Sequence, residues 1–246
     1  MKILSWDVGI INLSYCILEK NEKGIKILHW GIINLMETPE MKKNRNLLFE
    51  NIPKKLHELP YLLNVDKVVI ENQPSLKNPQ MKSIQMIVYS YFLMYGKVLN
   101  NNENKIMDID FCNASNKLKV YKGPEIILVK KIKKEKKVDA KLEGGSTGEI
   151  IINNEIEEVD DKEDTKENVK EDAKEDNKTD SKDKKAKEKK IKSPKLSYGD
   201  KKKTAVEHVK FFLKDDIQNL EFFLNHKKKD DLADSYLQGL YVLHNK

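Results

Sequence analysis

The sequence predicts a layered α/β domain in which the strands come first and helices flank them. Short apolar runs separated by turn residues open the chain. Longer apolar segments of helical length follow in the middle and at the end. A long charged stretch between these parts has neither pattern. We therefore expect the domain to be built from residues 1–129 and 196–246, with residues 130–195 as an insertion.

The first part of the chain contains the predicted strands. Apolar runs at residues 3–6, 13–18 and 25–30 predict three strands of a meander, with turns at Gly9 and at residues 21–24. Residues 41–57 have the pattern of a helix, and residues 67–70 that of a short buried strand. Pro74 and Pro79 mark a loop, after which residues 82–99 predict a second helix and residues 106–111 a further strand.

The charged stretch is too polar to form a core. It has no aromatic residue between Tyr121 and Tyr198, and residues 155–190 hold 15 Asp or Glu and 11 Lys. Such a composition cannot bury enough apolar surface to offset chain entropy, so residues 130–195 are predicted to be disordered. Because lysine recurs every fourth residue from Lys162 to Lys182, a transient helix with Glu-to-Lys pairs is the alternative.

Three helices are predicted after the insertion, at residues 203–213, 217–225 and 230–243. At about 100° per residue, one face of the last helix is apolar and holds Ala233, Tyr236, Leu237 and Leu240. Asp231 and Asp234 lie beside that face, about 60° apart. Asp230 lies on the same side as Asp234, so periodicity does not choose between Asp230 and Asp231. The alternative is that these acids only complement the dipole of the helix start.

The charge balance favours an anionic partner. The chain has a formal net charge of +6, and residues 155–190 contribute 11 − 15 = −4, which leaves +10 on the remaining residues. Such an excess favours nucleic acid through counterion release and long-range attraction.

The cysteines and the apolar runs predict a soluble intracellular protein without a membrane anchor. Cys16 and Cys112 match neither a zinc spacing nor a disulfide framework, which favours a reducing compartment. The start of the chain is not expected to be a signal peptide, because Asp7 interrupts its apolar run, and no run reaches membrane-spanning length.

Four acids in three separated segments are candidates for one site. Asp7 follows the first predicted strand, Glu71 follows the strand at 67–70, and Asp231 and Asp234 open the last helix. Four carboxylates placed together would repel unless a divalent cation lay between them, and carboxylates are preferred ligands of Mg²⁺ and Mn²⁺. Two such ions can clamp the attacking and leaving oxygens of a phosphodiester. Taken singly, Asp7 fits a turn residue and Glu71 a solvent-facing strand end.

Three motifs carry a resemblance to a known family. The segments WDVGIINLSYCIL, VVIENQPSLKNPQMKSIQ and KKDDLADSYLQGL resemble the acidic motifs of RuvC-like Holliday junction resolvases, most closely the poxvirus-type branch of large DNA viruses. The resemblance implies an RNase H-like fold, a mixed β-sheet flanked by helices. It covers both ends and the middle of the chain and leaves out the charged insertion.

The resemblance also implies roles for individual residues. Asp7, Glu71, Asp231 and Asp234 match the metal ligands, and the spacing of the motif selects Asp231 over Asp230. These residues would hold two Mg²⁺ ions, with Mn²⁺ as a substitute and no small-molecule cofactor. A catalytic lysine is expected at the start of the helix before the last motif, where Lys202 is favoured over its neighbours Lys201 and Lys203. A lysine that only contacts the DNA backbone is the alternative.

The implied activity is metal-dependent paired, symmetric incision of four-way DNA junctions, which resolves recombination and replication intermediates and leaves 5′-phosphate and 3′-hydroxyl ends. The implied assembly is a homodimer, and the apolar helix at 82–99 is either its contact surface or part of the core. Expected DNA contacts are Gln73, Lys77, Lys82 and Tyr91. If the chain is viral, the host cytoplasm or nucleus is the expected location.

Three other functions share some of these features. Another RNase H-like nuclease, acting on RNA/DNA hybrids or other branched DNA, would use the same acids. A sugar-kinase or actin-like ATPase also begins with a strand, an Asp and a Gly, but it needs a second phosphate-binding loop and a duplicated domain. A non-catalytic DNA-binding scaffold would bind junctions without cutting them.

Overall fold

Five strands form one mixed sheet in the computed structural model, which describes residues 1–76, 78–100, 106–124 and 197–245. The strands are β1 (Lys2–Val8), β2 (Asn12–Asn21), β3 (Gly24–Asn34), β4 (Lys67–Glu71) and β5 (Asp108–Cys112). Their order across the sheet is β3-β2-β1-β4-β5. The first three are antiparallel neighbours, whereas β4 pairs parallel with β1 and β5 parallel with β4. The predicted meander and both later strands are therefore confirmed.

Helices cover both faces of the sheet. They are α1 (Pro39–Lys43), α2 (Arg45–His57), α3 (Pro79–Phe92), α4 (Tyr198–Phe212), α5 (Ile217–Asn225) and α6 (Lys229–His244). Short helical turns occur at Pro60–Leu63 and Ala114–Val120, and a wider π-helical turn at Leu93–Val98 extends α3. This arrangement confirms the predicted fold class, an RNase H-like mixed sheet flanked by helices.

Alternation along the strands divides the apolar residues into two cores. Leu4, Trp6 and Val8 face one side of β1 and pack with residues of α2 and α3. Ile3 faces the other side, where the core includes Val209 of α4 and Leu237 of α6. The described residues before and after the charged stretch belong to one unit, and this second core joins them.

Helix α6 lies close to the sheet because of Gly239. A Cβ atom at this position would lie 2.9 Å from the Leu18 side chain and 3.2 Å from Cβ of Ser5. The amide of Gln238 adds polar contacts beneath the helix, since it donates to Ser5 Oγ at 3.0 Å and to the Trp6 carbonyl at 3.1 Å. The start of α6, which carries Asp231 and Asp234, is thereby held over the end of β1.

Three predicted helices differ from the structure in detail. The helix predicted at 203–213 begins at Tyr198, because the side chain of Ser197 caps it by accepting a hydrogen bond from the main-chain N–H of Asp200. The helix predicted at 41–57 is interrupted at Asn44, which has an extended conformation and accepts a hydrogen bond from the main-chain N–H of Asn46. The helix predicted at 82–99 begins earlier, because Asn78 caps it through the N–H of Met81 and Pro79 occupies its first turn. All three differences come from capping residues that apolar periodicity does not register.

Two other predictions concern the insertion and the membrane. The insertion at 130–195 lies outside the described residues, so its predicted disorder stays a prediction. Within the described ranges, no helix has both the length and the apolar character that crossing a membrane requires.

Candidate active site

Asp7 and Glu71 lie side by side on neighbouring parallel strands. Trp6 of β1 pairs with Ile70 of β4, so the next residues along each strand are Asp7 and Glu71. Both side chains point to the face covered by α6, because Trp6 and Ile70 point to the opposite core. Their adjacency thus follows from strand register and from the pleat alone.

Asp231 and Asp234 reach the same place from the first turns of α6. Asn12 at the start of β2 donates its side-chain amide to Asp231 Oδ2 at 3.2 Å. The hydroxyl groups of Ser14 and Ser235 are 2.9 Å apart and link the strand to the helix. Trp30 Nε1 also donates to the Leu232 carbonyl at 3.1 Å. Hydrogen bonds with β2 and β3 therefore fix the acidic start of α6 on the sheet.

Lys117 joins three of the four carboxylates. It lies in the helical turn at Ala114–Val120, after β5, and its side chain is only 11% exposed. Its Nζ is 3.4 Å from Asp7 Oδ1, 3.3 Å from Glu71 Oε1 and 2.5 Å from Asp234 Oδ2. One buried ammonium group thus bridges acids that come from two strands and a helix.

The pKa values of Asp7, Asp231 and Asp234 are all raised, with burial as the largest cause. Burial raises the pKa of Asp7 to about 8, against the effect of Lys117 and with that of Glu71. Burial, together with the charges of Asp230 and Asp7, raises the pKa of Asp231 to about 6. For Asp234, burial and Asp7 outweigh Lys117 and also raise the pKa to about 6. Additional positive charge in this cavity would therefore be stabilised.

The pKa of Lys117 itself is raised. Burial disfavours its charged form, but the carboxylates of Asp7, Asp234 and Glu71 outweigh that cost. The ammonium group consequently stays protonated over the whole physiological range.

Lys202 lies near the start of α4, at the rim of the same cavity. Its Nζ donates to Asp230 Oδ2 at 2.5 Å and lies 5.3 Å from the centre of the Tyr198 ring. Burial raises the pKa of Asp230, but the hydrogen bond and charge of Lys202, together with main-chain hydrogen bonds, outweigh burial and lower that pKa. Asp230 is therefore paired with a lysine outside the carboxylate group, whereas Asp231 faces the cavity.

The cavity has a volume of about 690 Å³. Its walls come from the ends of β1 and β4, the turn after β5, and the starts of α3, α4 and α6. The lining residues are Asp7, Val8, Gly9, Glu71, Gln73, Met81, Ala114, Ser115, Lys117, Leu118, Tyr198, Lys201, Lys202, Asp231 and Asp234.

The donor set fits a hard divalent cation, although the carboxylates are now arranged around Lys117. In the part of the chain that is described, no three Asp, Glu, His or Cys side chains enclose a point at ligand distance. Four carboxylates and one ammonium group nevertheless leave an excess of negative charge in a buried cavity, and carboxylate oxygens are the ligands that Mg²⁺ and Mn²⁺ prefer. Their incomplete convergence means that a bound cation requires the acids to shift relative to Lys117.

The structure brings the predicted acids together but does not place the predicted lysine among them. Asp7, Glu71 and Asp234 meet at Lys117, and Asp231 lines the same cavity. Lys201 and Lys202 also line it, whereas Lys203 is exposed. The roles of Asp7, Glu71, Asp231 and Asp234 as metal ligands and of Lys202 as a catalytic group stay predictions.

The residues expected to contact DNA differ in how exposed they are. Tyr91 is only 4% exposed, so the prediction that it contacts DNA is wrong, because its ring packs in the core beside Phe92. Gln73 is buried and its amide is engaged within the protein. Lys82 is partly exposed, and Lys77 lies outside the described residues.

Sequence reasoning missed Lys117. The residue stands in the segment ASNKLKV, which has no strand or helix periodicity and lies shortly before the charged insertion with its many lysines. The one signal was position, since the segment follows the third parallel strand, whose carboxyl end lies at the same sheet edge as Asp7 and Glu71.

The raised pKa values predict how the stability of the metal-free protein depends on pH. Asp7 titrates at about pH 8 in the folded protein and near its ordinary value of 3.8 when unfolded. Between these values the folded state binds more protons, so the free energy of unfolding falls as pH rises. We expect a loss of at most about 1.4 kcal/mol per pH unit for each proton of difference. Thermal denaturation in EDTA, measured as a function of pH, should show this loss of stability.

The Asp7→Asn variant separates the contribution of Asp7 to this pH dependence from those of Asp231 and Asp234. It should flatten the decline above about pH 6, because Asp231 and Asp234 titrate near that value. A wild-type melting temperature that rises with pH over this range would contradict the burial of these acids.

Comparison with known proteins gives relatives and similar solved structures. No family model matches the chain. An uncharacterized protein of Acanthamoeba polyphaga mimivirus is 29% identical over 196 residues, which are 78% of this chain. The chain spans about one third of the length of that curated relative.

Solved structures similar to this chain carry the names expected from the motifs. The fowlpox virus Holliday junction resolvase is 15% identical, with a TM-score of 0.49 and 100% of both chains covered. The yeast mitochondrial Holliday junction resolvase Ydc2 is 17% identical, with a TM-score of 0.47, covering 97% of this chain and 77% of its own. RuvC of Thermus thermophilus is 13% identical, with a TM-score of 0.38, and the match covers 49% of this chain and 68% of the RuvC chain. A poxvirus resolvase and a RuvC protein are thus both among them.

Proposed function

We propose that this protein is a metal-dependent, structure-selective endonuclease that cuts four-way DNA junctions by paired, symmetric incision. The observation that carries the proposal is the meeting of four acids from three distant segments in one cavity, with a buried lysine among them. Such a group is costly to bury, so it requires a compensating function or a bound cation.

The cavity suits a phosphodiester that arrives with divalent cations. The ionised acids alone would repel a DNA backbone. Burial, the largest cause of the raised pKa values of Asp7, Asp231 and Asp234, disfavours their charged forms, which a bound cation would stabilise. When bound, two Mg²⁺ ions would activate a water molecule and stabilise the leaving 3′ oxygen. Asp7, Glu71, Asp231 and Asp234 would hold these ions, with Mn²⁺ as a substitute.

The lysines at the cavity supply fixed positive charge. Lys117 lies among the acids, and Lys202 lies at the rim with Lys201 beside it. A protonated lysine at either place stabilises the negative charge that develops on the transferring phosphoryl group. Hydrolysis in this arrangement leaves a 5′-phosphate and a 3′-hydroxyl.

We further propose that the enzyme acts as a homodimer on branched DNA. A twofold dimer matches the symmetry of a four-way junction and places one active site on each of two related strands. The surface of α3 and the turn after it support a contact there, because Met86, Met94 and Tyr95 are 41%, 42% and 43% exposed. They line an apolar groove with Pro53 and Ile87. Tyr91 and Phe92 of the same segment belong to the core.

The direct test is incubation of the protein with a synthetic immobile junction, with and without Mg²⁺. We expect Mg²⁺-dependent nicks at symmetric positions across the branch, mapped on end-labelled strands. A flap and an RNA/DNA hybrid serve as matched substrates. Preferential cleavage of the hybrid would assign the site to another RNase H-like nuclease. Junction binding without cleavage in Mg²⁺ or Mn²⁺ would indicate a non-catalytic scaffold.

A further inference from the structure

We propose that Gln73 is a positioning residue that fixes the carboxylate of Glu71 for cation binding. This inference rests on the proposed role of Glu71 as a metal ligand. The side-chain amide of Gln73 donates to Glu71 Oε2 at 2.9 Å and to the Val8 carbonyl at 3.3 Å. It therefore ties the end of β4 to the end of β1 beside Asp7.

The two carboxylate oxygens of Glu71 have different partners, because Gln73 holds one of them. Oε2 accepts the hydrogen bond from Gln73, whereas Oε1 faces Lys117 Nζ at 3.3 Å. A carboxylate held at one oxygen cannot rotate freely, so its other oxygen keeps its direction into the cavity. Because an amide carries no charge, it holds the carboxylate without competing with a cation.

A second layer of contacts holds Gln73 itself. Its main-chain N–H donates to Gln85 Oε1 at 2.8 Å, and Gln85 is fully buried on α3. Lys82 Nζ donates to the same oxygen at 3.2 Å. Gln73 is 8% exposed, so its conformation is fixed by the protein and not by solvent. The contacts run from α3 through Gln73 to Glu71.

The test uses Gln73→Met, which keeps the length of the side chain and the main-chain bond to Gln85 but removes the amide. We expect it to weaken Mn²⁺ binding to the full-length protein by about tenfold, the lower end of the range for groups that orient metal ligands. Calorimetric titration with Mn²⁺ alone, without DNA, measures this. The half-saturating Mg²⁺ concentration for junction cleavage should rise by a similar factor, while the rate at saturating Mg²⁺ stays within about twofold.

Asn51→Leu is the matched control. Asn51 is also 8% exposed, and its amide also donates to a main-chain carbonyl, that of Leu35 at 3.1 Å. We expect this substitution to lower the melting temperature but to leave Mn²⁺ affinity unchanged. The comparison separates loss of a buried amide from loss of the contact with Glu71.

A double-mutant cycle shows whether Gln73 acts through Glu71. In a Glu71→Ala background, Gln73→Met should change Mn²⁺ affinity no further, because the carboxylate that it orients is gone. Gln73→Asn gives a second variant if Gln73→Met does not fold, since its shorter amide cannot reach Oε2 while the bond to Gln85 persists. Unchanged Mn²⁺ affinity in the folded variants, or no Mn²⁺ binding by the wild type, would overturn the inference. Mn²⁺ binding that depends on Gln73 in a protein that cuts no junction would sustain it and refute the proposed function.

Discussion

Replacement of Asp7 with Asn is expected to abolish junction cleavage while junction binding stays at least as tight as in the wild type. Groups that only orient metal ligands already cost about 10- to 100-fold when removed, so loss of a ligand should cost more than about a hundredfold. Asp234→Asn should have the same effect. Cleavage of an immobile junction in Mg²⁺ and a binding titration in EDTA measure the two properties separately.

Binding is expected to persist because the substitution removes a negative charge that repels phosphate. Asn has nearly the size of Asp and keeps the strand intact, and removal of a buried carboxylate with a raised pKa should not destabilise the metal-free fold. Asp215→Asn is the control, since Asp215 is exposed and lies outside the cavity. If Asp7→Asn lost binding and cleavage together in a folded protein, Asp7 would have a structural role and the proposed function would lose its main support.

The parts of the site that the sequence predicted are those set by regular structure. An acid at the end of a strand has its position fixed by register and its side fixed by the pleat, as for Asp7 and Glu71. The 100° advance of a helix similarly placed Asp231 and Asp234 beside the buried face of α6. Periodicity could not decide whether Asp230 or Asp231 faces the cavity. That choice depends on a contact between two helices, the ion pair of Asp230 with Lys202.

Lys117 could not be found in this way because its position depends on tertiary structure. The turn that carries it is irregular, and nothing in ASNKLKV distinguishes Lys117 from Lys119. Their surroundings differ only in the folded chain, where Lys117 is buried among carboxylates and Lys119 Nζ donates to Asn116 at the surface. Helix boundaries at Asn44 and Asn78 were missed for a related reason, since a single capping side chain decides them.

Replacement of Lys117 with Met should destabilise the metal-free protein strongly. The substitution keeps the apolar stem but leaves Asp7, Glu71 and Asp234 without their shared cation. Breaking a buried ion pair by removing one partner costs about 3–5 kcal/mol. We expect a loss of that size in the free energy of unfolding at about pH 8 in EDTA, measured by urea denaturation. The loss should be smaller at about pH 5, because protonated carboxyls need no cation.

Divalent cations should reverse most of this loss. Because Lys117 holds three of the acids that would bind a metal, Mg²⁺ should raise the melting temperature of Lys117→Met more than that of the wild type. Lys119→Met is the matched control, on the same turn but exposed, and it should change stability by less than about 0.5 kcal/mol. Equal stability of Lys117→Met and the wild type at about pH 8 would mean that the ammonium group does not bridge the carboxylates. A bound cation would then not require the acids to shift relative to Lys117, and the need for positive charge inferred for this cavity would be wrong.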